Sequence, residues 1–131
     1  MFVRNIAGES GINTLYLAWY NGSKITPDII EGYRRPLMAD NWDYALWQYT
    51  LASRDLRLSQ NLSGVSVPVL VITGAQDQII SSSYAKRLAN EIPGANLVEI
   101  NECGHIPHEE KPMEFLSVVT AFLESIKIQN T

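Results

Sequence analysis

Apolar positions in the second half of the chain fall into short blocks. Val69-Leu70-Val71-Ile72 is a continuous apolar run behind Pro68, the signature of a strand buried on both faces. Leu97-Val98-Glu99-Ile100 reads as a second strand. Between them Tyr84, Leu88 and Ile92 recur at helical spacing, with Ala85 and Ala89 beside them. Ser81, Ser82 or Ser83 can cap that helix, and Pro93-Gly94 stops it. Strand, helix and strand within 32 residues (69–100) make a βαβ unit, which requires parallel pairing. Pro112 then opens a last helix whose inner face is Phe115, Val118, Val119, Phe122 and Ile126.

The first half patterns differently. Thr26-Pro27-Asp28 is a helix start: a hydroxyl cap, a proline at the first position and an acid in the first turn. Ile29, Ile30 and Tyr33 share one side of that helix, and Pro36 ends it. Asp40 can cap a second helix, on which Trp42, Leu46 and Tyr49 recur at i, i+4 and i+7. Trp47 and Leu51 widen this face, which predicts burial on more than one side. Residues 12–20 are apolar and aromatic, and their period does not separate helix from strand. All three Trp and five of the six Tyr lie before residue 64, so the chain divides into a helical segment, 1–60, and an α/β segment, 61–131.

Composition narrows the function classes. With 131 residues and 46% hydrophobic content, a folded α/β domain is expected. The net charge of −4 is dispersed, with no Lys/Arg cluster for nucleic acid and no basic amphipathic helix for a membrane surface. No 18-residue apolar run predicts a membrane span, and Met1-Phe2-Val3-Arg4-Asn5 lacks a signal-peptide pattern. These features predict a soluble intracellular protein of cytoplasm or organelle. The sequons Asn21-Gly22-Ser23 and Asn61-Leu62-Ser63 then read as chance matches. Cys103 is the single cysteine, which excludes an internal disulfide and a cysteine-based zinc site.

Candidate chemistry sits just past the two strands. Thr73-Gly74-Ala75-Gln76-Asp77 presents a carboxylate, and Asn101-Glu102-Cys103-Gly104-His105 an imidazole. Parallel pairing brings both loops to one sheet edge, the carboxyl ends where ligands and catalytic groups gather. An Asp beside a His fixes its tautomer, leaving the second ring nitrogen to take a proton. Gly74 and Gly104 are expected to permit tight turns and to leave room for a neighbouring loop. His108 competes as a metal ligand with His105 and a glutamate, but Pro107 disfavours the helical spacing that would align them. It reads instead as a surface residue leading into a helix. Cys103 adjoins Glu102, which would raise its pKa and argues against a nucleophile.

At these residues the chain resembles the α/β-hydrolase superfamily. The stretch from Val67 to Asp77 looks like its penultimate strand and acid loop. Cys103-Gly104-His105-Ile106-Pro107-His108-Glu109-Glu110-Lys111-Pro112 looks like its histidine loop and the lead into the final helix. The strong match covers 65–124. Residues 12–60 are more weakly similar to the helical cap inserted before the penultimate strand, above all Trp19 to Thr26 and Gly32 to Leu37. The resemblance implies the C-terminal part of an α/β-hydrolase fold, Asp77 as triad acid and His105 as general base. No cofactor and no metal are expected. The resemblance also implies hydrolysis of an ester-like bond in a small apolar or aromatic substrate, for which a cap lined with Trp and Tyr is suited. Ester, epoxide, haloalkane and C–C bond hydrolases share this tail, and the superfamily also includes ligand receptors.

The chain departs from the family at the nucleophile. The family order is nucleophile, acid, histidine, with the nucleophile in a G-x-S-x-G turn. The nearest stretch, Gly8-Glu9-Ser10-Gly11-Ile12, ends in Ile and lies only 67 residues before Asp77. The loop donor that completes an oxyanion hole is missing too. A C-terminal fragment of a longer hydrolase is therefore expected, inactive alone, with an open sheet edge available for self-association. The alternative is a truncated, non-catalytic module that binds small ligands or another chain.

Overall fold

Proline, serine and asparagine set the element boundaries in the computed structural model, which describes residues 9–53 and 60–129. Helix α1 (Glu9–Ala18) resolves the ambiguity over residues 12–20 in favour of helix. Helix α2 (Pro27–Arg34) starts as expected, with the Thr26 hydroxyl accepting from the Ile29 amide at 3.4 Å, and Pro36 lies in the 3-10 turn that follows it. Helix α3 (Trp42–Ala52) is capped differently from the expectation at Asp40. Asn41 holds the cap position with left-handed backbone (φ 57°), a conformation asparagine tolerates well.

Strands β1 (Leu70–Gly74) and β2 (Asn96–Ile100) pair in parallel, in register from Leu70 opposite Asn96 to Gly74 opposite Ile100. Helix α4 (Ser82–Glu91) connects them and packs on both. Its cap is Ser81, whose hydroxyl accepts from the Ser83 amide, and Gly94 follows it at φ +71°. After β2 come a one-turn helix α5 (Pro107–Glu110) and the long α6 (Pro112–Gln129). On α6 the half-buried positions include all five expected residues, Phe115, Val118, Val119, Phe122 and Ile126. No helix among the described residues is long and apolar enough to cross a membrane.

Burial is concentrated where the helical segment meets the loop after β2. Leu15, Ala18, Trp19 and Ile25 form a buried cluster, with Ile29, Ile30 and Ile106 packed against it. The expected burial of α3 is not found. Tyr44, Leu46, Trp47, Tyr49 and Leu51 are all exposed, Tyr49 by 71%. Of the expected face only Trp42, at the start of the helix near the 3-10 turn, is half-buried.

Candidate active site

Both strands end in loops that bond to each other before they present any chemistry. The Ala75 amide donates to the Ile100 carbonyl (2.8 Å) and the Gln76 amide to the Cys103 carbonyl (3.0 Å). The Gln76 side-chain oxygen accepts from the Cys103 amide (3.2 Å). A Cβ on Gly74 would run into the carbonyls of Gly104 and Cys103, so that glycine is needed for the close approach of the two loops. A Cβ on Gly104 would likewise collide with the Ala18 carbonyl and the Tyr20 amide. Neither glycine has left-handed backbone. The positive φ in the turn after β2 is taken by Glu102 (51°), so the expected turn role of these glycines falls away and the spacing role stands.

The approach of the loops brings Asp77 to His105. Asp77 Oδ2 lies 2.8 Å from His105 Nδ1. The other oxygen, Oδ1, accepts from the amides of Ile79 (2.8 Å) and Ile80 (2.9 Å), which locks the carboxylate's direction. An ionised carboxylate only accepts, so the shared proton belongs to Nδ1. The Asp77 side chain is 5% exposed and that of His105 is 35% exposed. The imidazole therefore has one nitrogen held in a shielded bond. Among the described residues nothing hydrogen-bonds Nε2, which in the neutral ring is a base. A cleft of about 250 Å³ adjoins the pair, bounded by Val71, Thr73, Ile80, Tyr84 and Leu88. Its aromatic ring comes from α4 rather than from the helical segment.

The remaining candidates separate from this pair. His108 sits on α5, 3.7 Å from Glu109 through Nε2, with its ring against Phe115. Cys103 is fully buried. Burial first, then the charge of Glu110, pushes its thiol up to about 11, so the expected direction holds while the adjacent Glu102 is not its cause. Ser10 falls in α1, with its side chain outside the described residues, as is Gly8. A second cleft, about 410 Å³, is lined by Ile29, Gly32, Tyr33, Pro36 and Glu109. There the Tyr33 hydroxyl donates to Glu109 Oε1 at 2.8 Å. Burial, and then the bond to Glu109 with its charge, raises Tyr33 to about 12.

One buried acid had no distinguishing sequence signal beyond its place beside His108. Glu110 is 3% exposed and accepts backbone amides from Tyr20 (3.0 Å), Asn21 (2.7 Å) and Gly104 (2.8 Å). Three aligned donors explain why a carboxylate is tolerated at this depth. Two of them lie about 90 residues earlier in the chain, beyond the reach of a local motif.

Comparison with known proteins places these features in a wider set. A family model described as the alpha/beta hydrolase fold matches residues 14–112. The monoacylglycerol lipase abhd6-A of Xenopus laevis is 27% identical over 129 residues, covering 97% of this chain and 38% of the relative. The uncharacterized hydrolase YugF of Bacillus subtilis is 26% identical over 109 residues, covering 83% of this chain and 40% of its own. Among solved structures, an esterase from Exiguobacterium antarcticum superposes with a TM-score of 0.71 at 18% identity, over 93% of this chain and 46% of the esterase. The chain thus spans about two-fifths of the length of these curated relatives.

Proposed function

Since the chain belongs to the alpha/beta hydrolase fold family, we propose that Asp77 and His105 are the acid and the general base of its hydrolytic site. The observation that carries this reading is the 2.8 Å bond between Asp77 Oδ2 and His105 Nδ1, with Nε2 left to act. In this role Asp77 holds the imidazole in the Nδ1–H tautomer and stabilises the imidazolium. His105 Nε2 takes the proton of the attacking hydroxyl or water and returns it to the leaving group. If Asp77 were replaced by Asn, the amide would offer a donor to Nδ1 and favour the wrong tautomer.

The substrate we propose is a carboxylic ester with an apolar acyl part, of the monoacylglycerol class. The similarity to monoacylglycerol lipases supports this class, and so does the apolar lining of the cleft beside His105. The 131 residues contain no G-x-S-x-G turn. The pair is accordingly assigned the proton-transfer half of the reaction, and the chain by itself is expected to turn over ester negligibly.

The test exchanges this chain for the matching segment of a monoacylglycerol lipase relative and measures hydrolysis of monoacylglycerol. We expect an active exchange protein whose kcat falls on the order of 10⁴-fold on His105→Gln. An active exchange protein indifferent to His105→Gln, or a folded one without activity, would overturn the assignment. On the isolated chain, fluorophosphonate labelling of Ser10 would move the nucleophile into these residues and contradict the expected inactivity.

A further inference from the structure

The loop that carries His105, with the turn that follows it, is tied to the chain leaving α1 by three backbone-donated hydrogen bonds. One is direct, from the His105 amide to the Ala18 carbonyl at 2.7 Å. The other two end on Glu110, which also accepts a bond from Gly104 on its own side. Its Oε2 accepts from Tyr20 (3.0 Å) and from Gly104 (2.8 Å), and its Oε1 accepts from Asn21 (2.7 Å). Gly104 immediately precedes His105. The bond to its amide therefore acts one peptide away from the imidazole's own backbone. The space is closed on the same side, since a Cβ on Gly104 would strike Ala18 and Tyr20 backbone atoms. Glu110 is offered to this site by α5, a single turn in which Pro107 and Glu110 are the buried residues. The Lys24 ammonium reaches the Glu110 carbonyl at 3.4 Å and fixes the same turn to the helical segment.

We propose that Glu110 is the positioning residue of His105: its carboxylate gathers the amides of Tyr20, Asn21 and Gly104 and so sets the imidazole against Asp77. A carboxylate suits the task because all three neighbours are donors. An amide in its place would turn an NH₂ group toward at least one N–H. A buried donor left unpaired is costly, so the loop would shift to find water or another acceptor. A shift of about 1 Å is enough to impair a catalytic hydrogen bond. The inference rests on the assignment of His105 as the general base, and the experiment separates the two.

The measurement uses the full chain and magnetic resonance of its two histidine rings, with the β1 and β2 amides as the internal reference. In the wild type the Nδ1 proton of His105 should resonate far downfield, and Asp77→Asn should abolish that signal. In Glu110→Gln, hydrogen exchange at Tyr20, Asn21 and Gly104 should speed up about tenfold or more. The His105 Nδ1 signal should weaken or vanish, while the β1 and β2 amides stay as they were. Glu110→Asp keeps the charge but falls short of all three donors, and should show the same change in smaller degree. If Gln prevents folding, the Asp variant is judged by the same criterion. Faster amide exchange with an unchanged His105 signal would overturn the proposal, leaving Glu110 as a mere clip between segments. A wild type without an Asp77-dependent proton would instead overturn the acid–base pair, and the positioning role with it.

Discussion

Two glycines and one glutamate decide how closely the Asp77 and His105 loops approach. Gly104→Ala must push two backbone segments apart, at Ala18 and Tyr20, and should destabilise the fold by about 1–3 kcal/mol. Gly32, inside α2, has nothing near its would-be Cβ, so Gly32→Ala should stabilise by about 0.4–1 kcal/mol. Urea unfolding of both variants checks the contrast, and equal effects would refute it. Glu110 adds a pH signature. Burial alone would raise its pKa above the ordinary 4.5, but the amides of Asn21, Gly104 and Tyr20 and the Lys24 charge outweigh that and hold it lower. Its folded pKa is below its unfolded one. Its contribution is therefore full above about pH 4.5 and is lost as pH falls through the folded value. The gap in urea midpoint between wild type and Glu110→Gln should stay constant near neutral pH and shrink in acid. At this scale the meeting of Asp77 and His105 was legible, because each follows an apolar strand into a glycine-bearing loop. Glu110 was not, because its meaning depends on amides about 90 residues away.

Among the elements, β1, α4, β2 and α6 form where the periodicity predicts them, and α6 keeps its five expected positions half-buried. Burial follows less closely elsewhere: of the α4 stripe only Ile92 is buried while Tyr84 and Leu88 are exposed, and Val69–Ile72 are half-buried rather than buried on both faces. Helix α3 departs further. Its aromatic and aliphatic positions predict burial, yet Tyr44, Trp47 and Tyr49 are exposed. Periodicity reports that a face needs a partner and is silent on where the partner lies. Tyr49→Ser should therefore change stability by no more than about 0.5 kcal/mol. Ile100→Ala, at a residue 4% exposed at the end of β2, should cost about 2–5 kcal/mol. Chemical denaturation of the two variants compares them directly, and a large loss at Tyr49 would mean that α3 is packed after all.

For the whole molecule, the two-stranded sheet is the decisive feature. Among the described residues β1 pairs only with β2, so one edge of each strand carries unpaired amides and carbonyls. We expect concentration-dependent association, read as a light-scattering mass above the monomer's during size exclusion. A strictly monomeric chain with one cooperative unfolding transition would contradict that expectation. The family was readable from two loops because parallel pairing converts their distance in sequence into proximity in space. The small apolar core where the helical segment meets the His105 loop was not readable, since it joins residues from both halves of the chain. As the proposed acid and base, Asp77 and His105 should work as one unit. The most direct test is kcat of the active exchange protein with Asp77→Asn, with His105→Gln and with both. A single unit predicts that the double variant loses no more than the His105 variant alone. Losses that multiply would show two independent residues and contradict the claim.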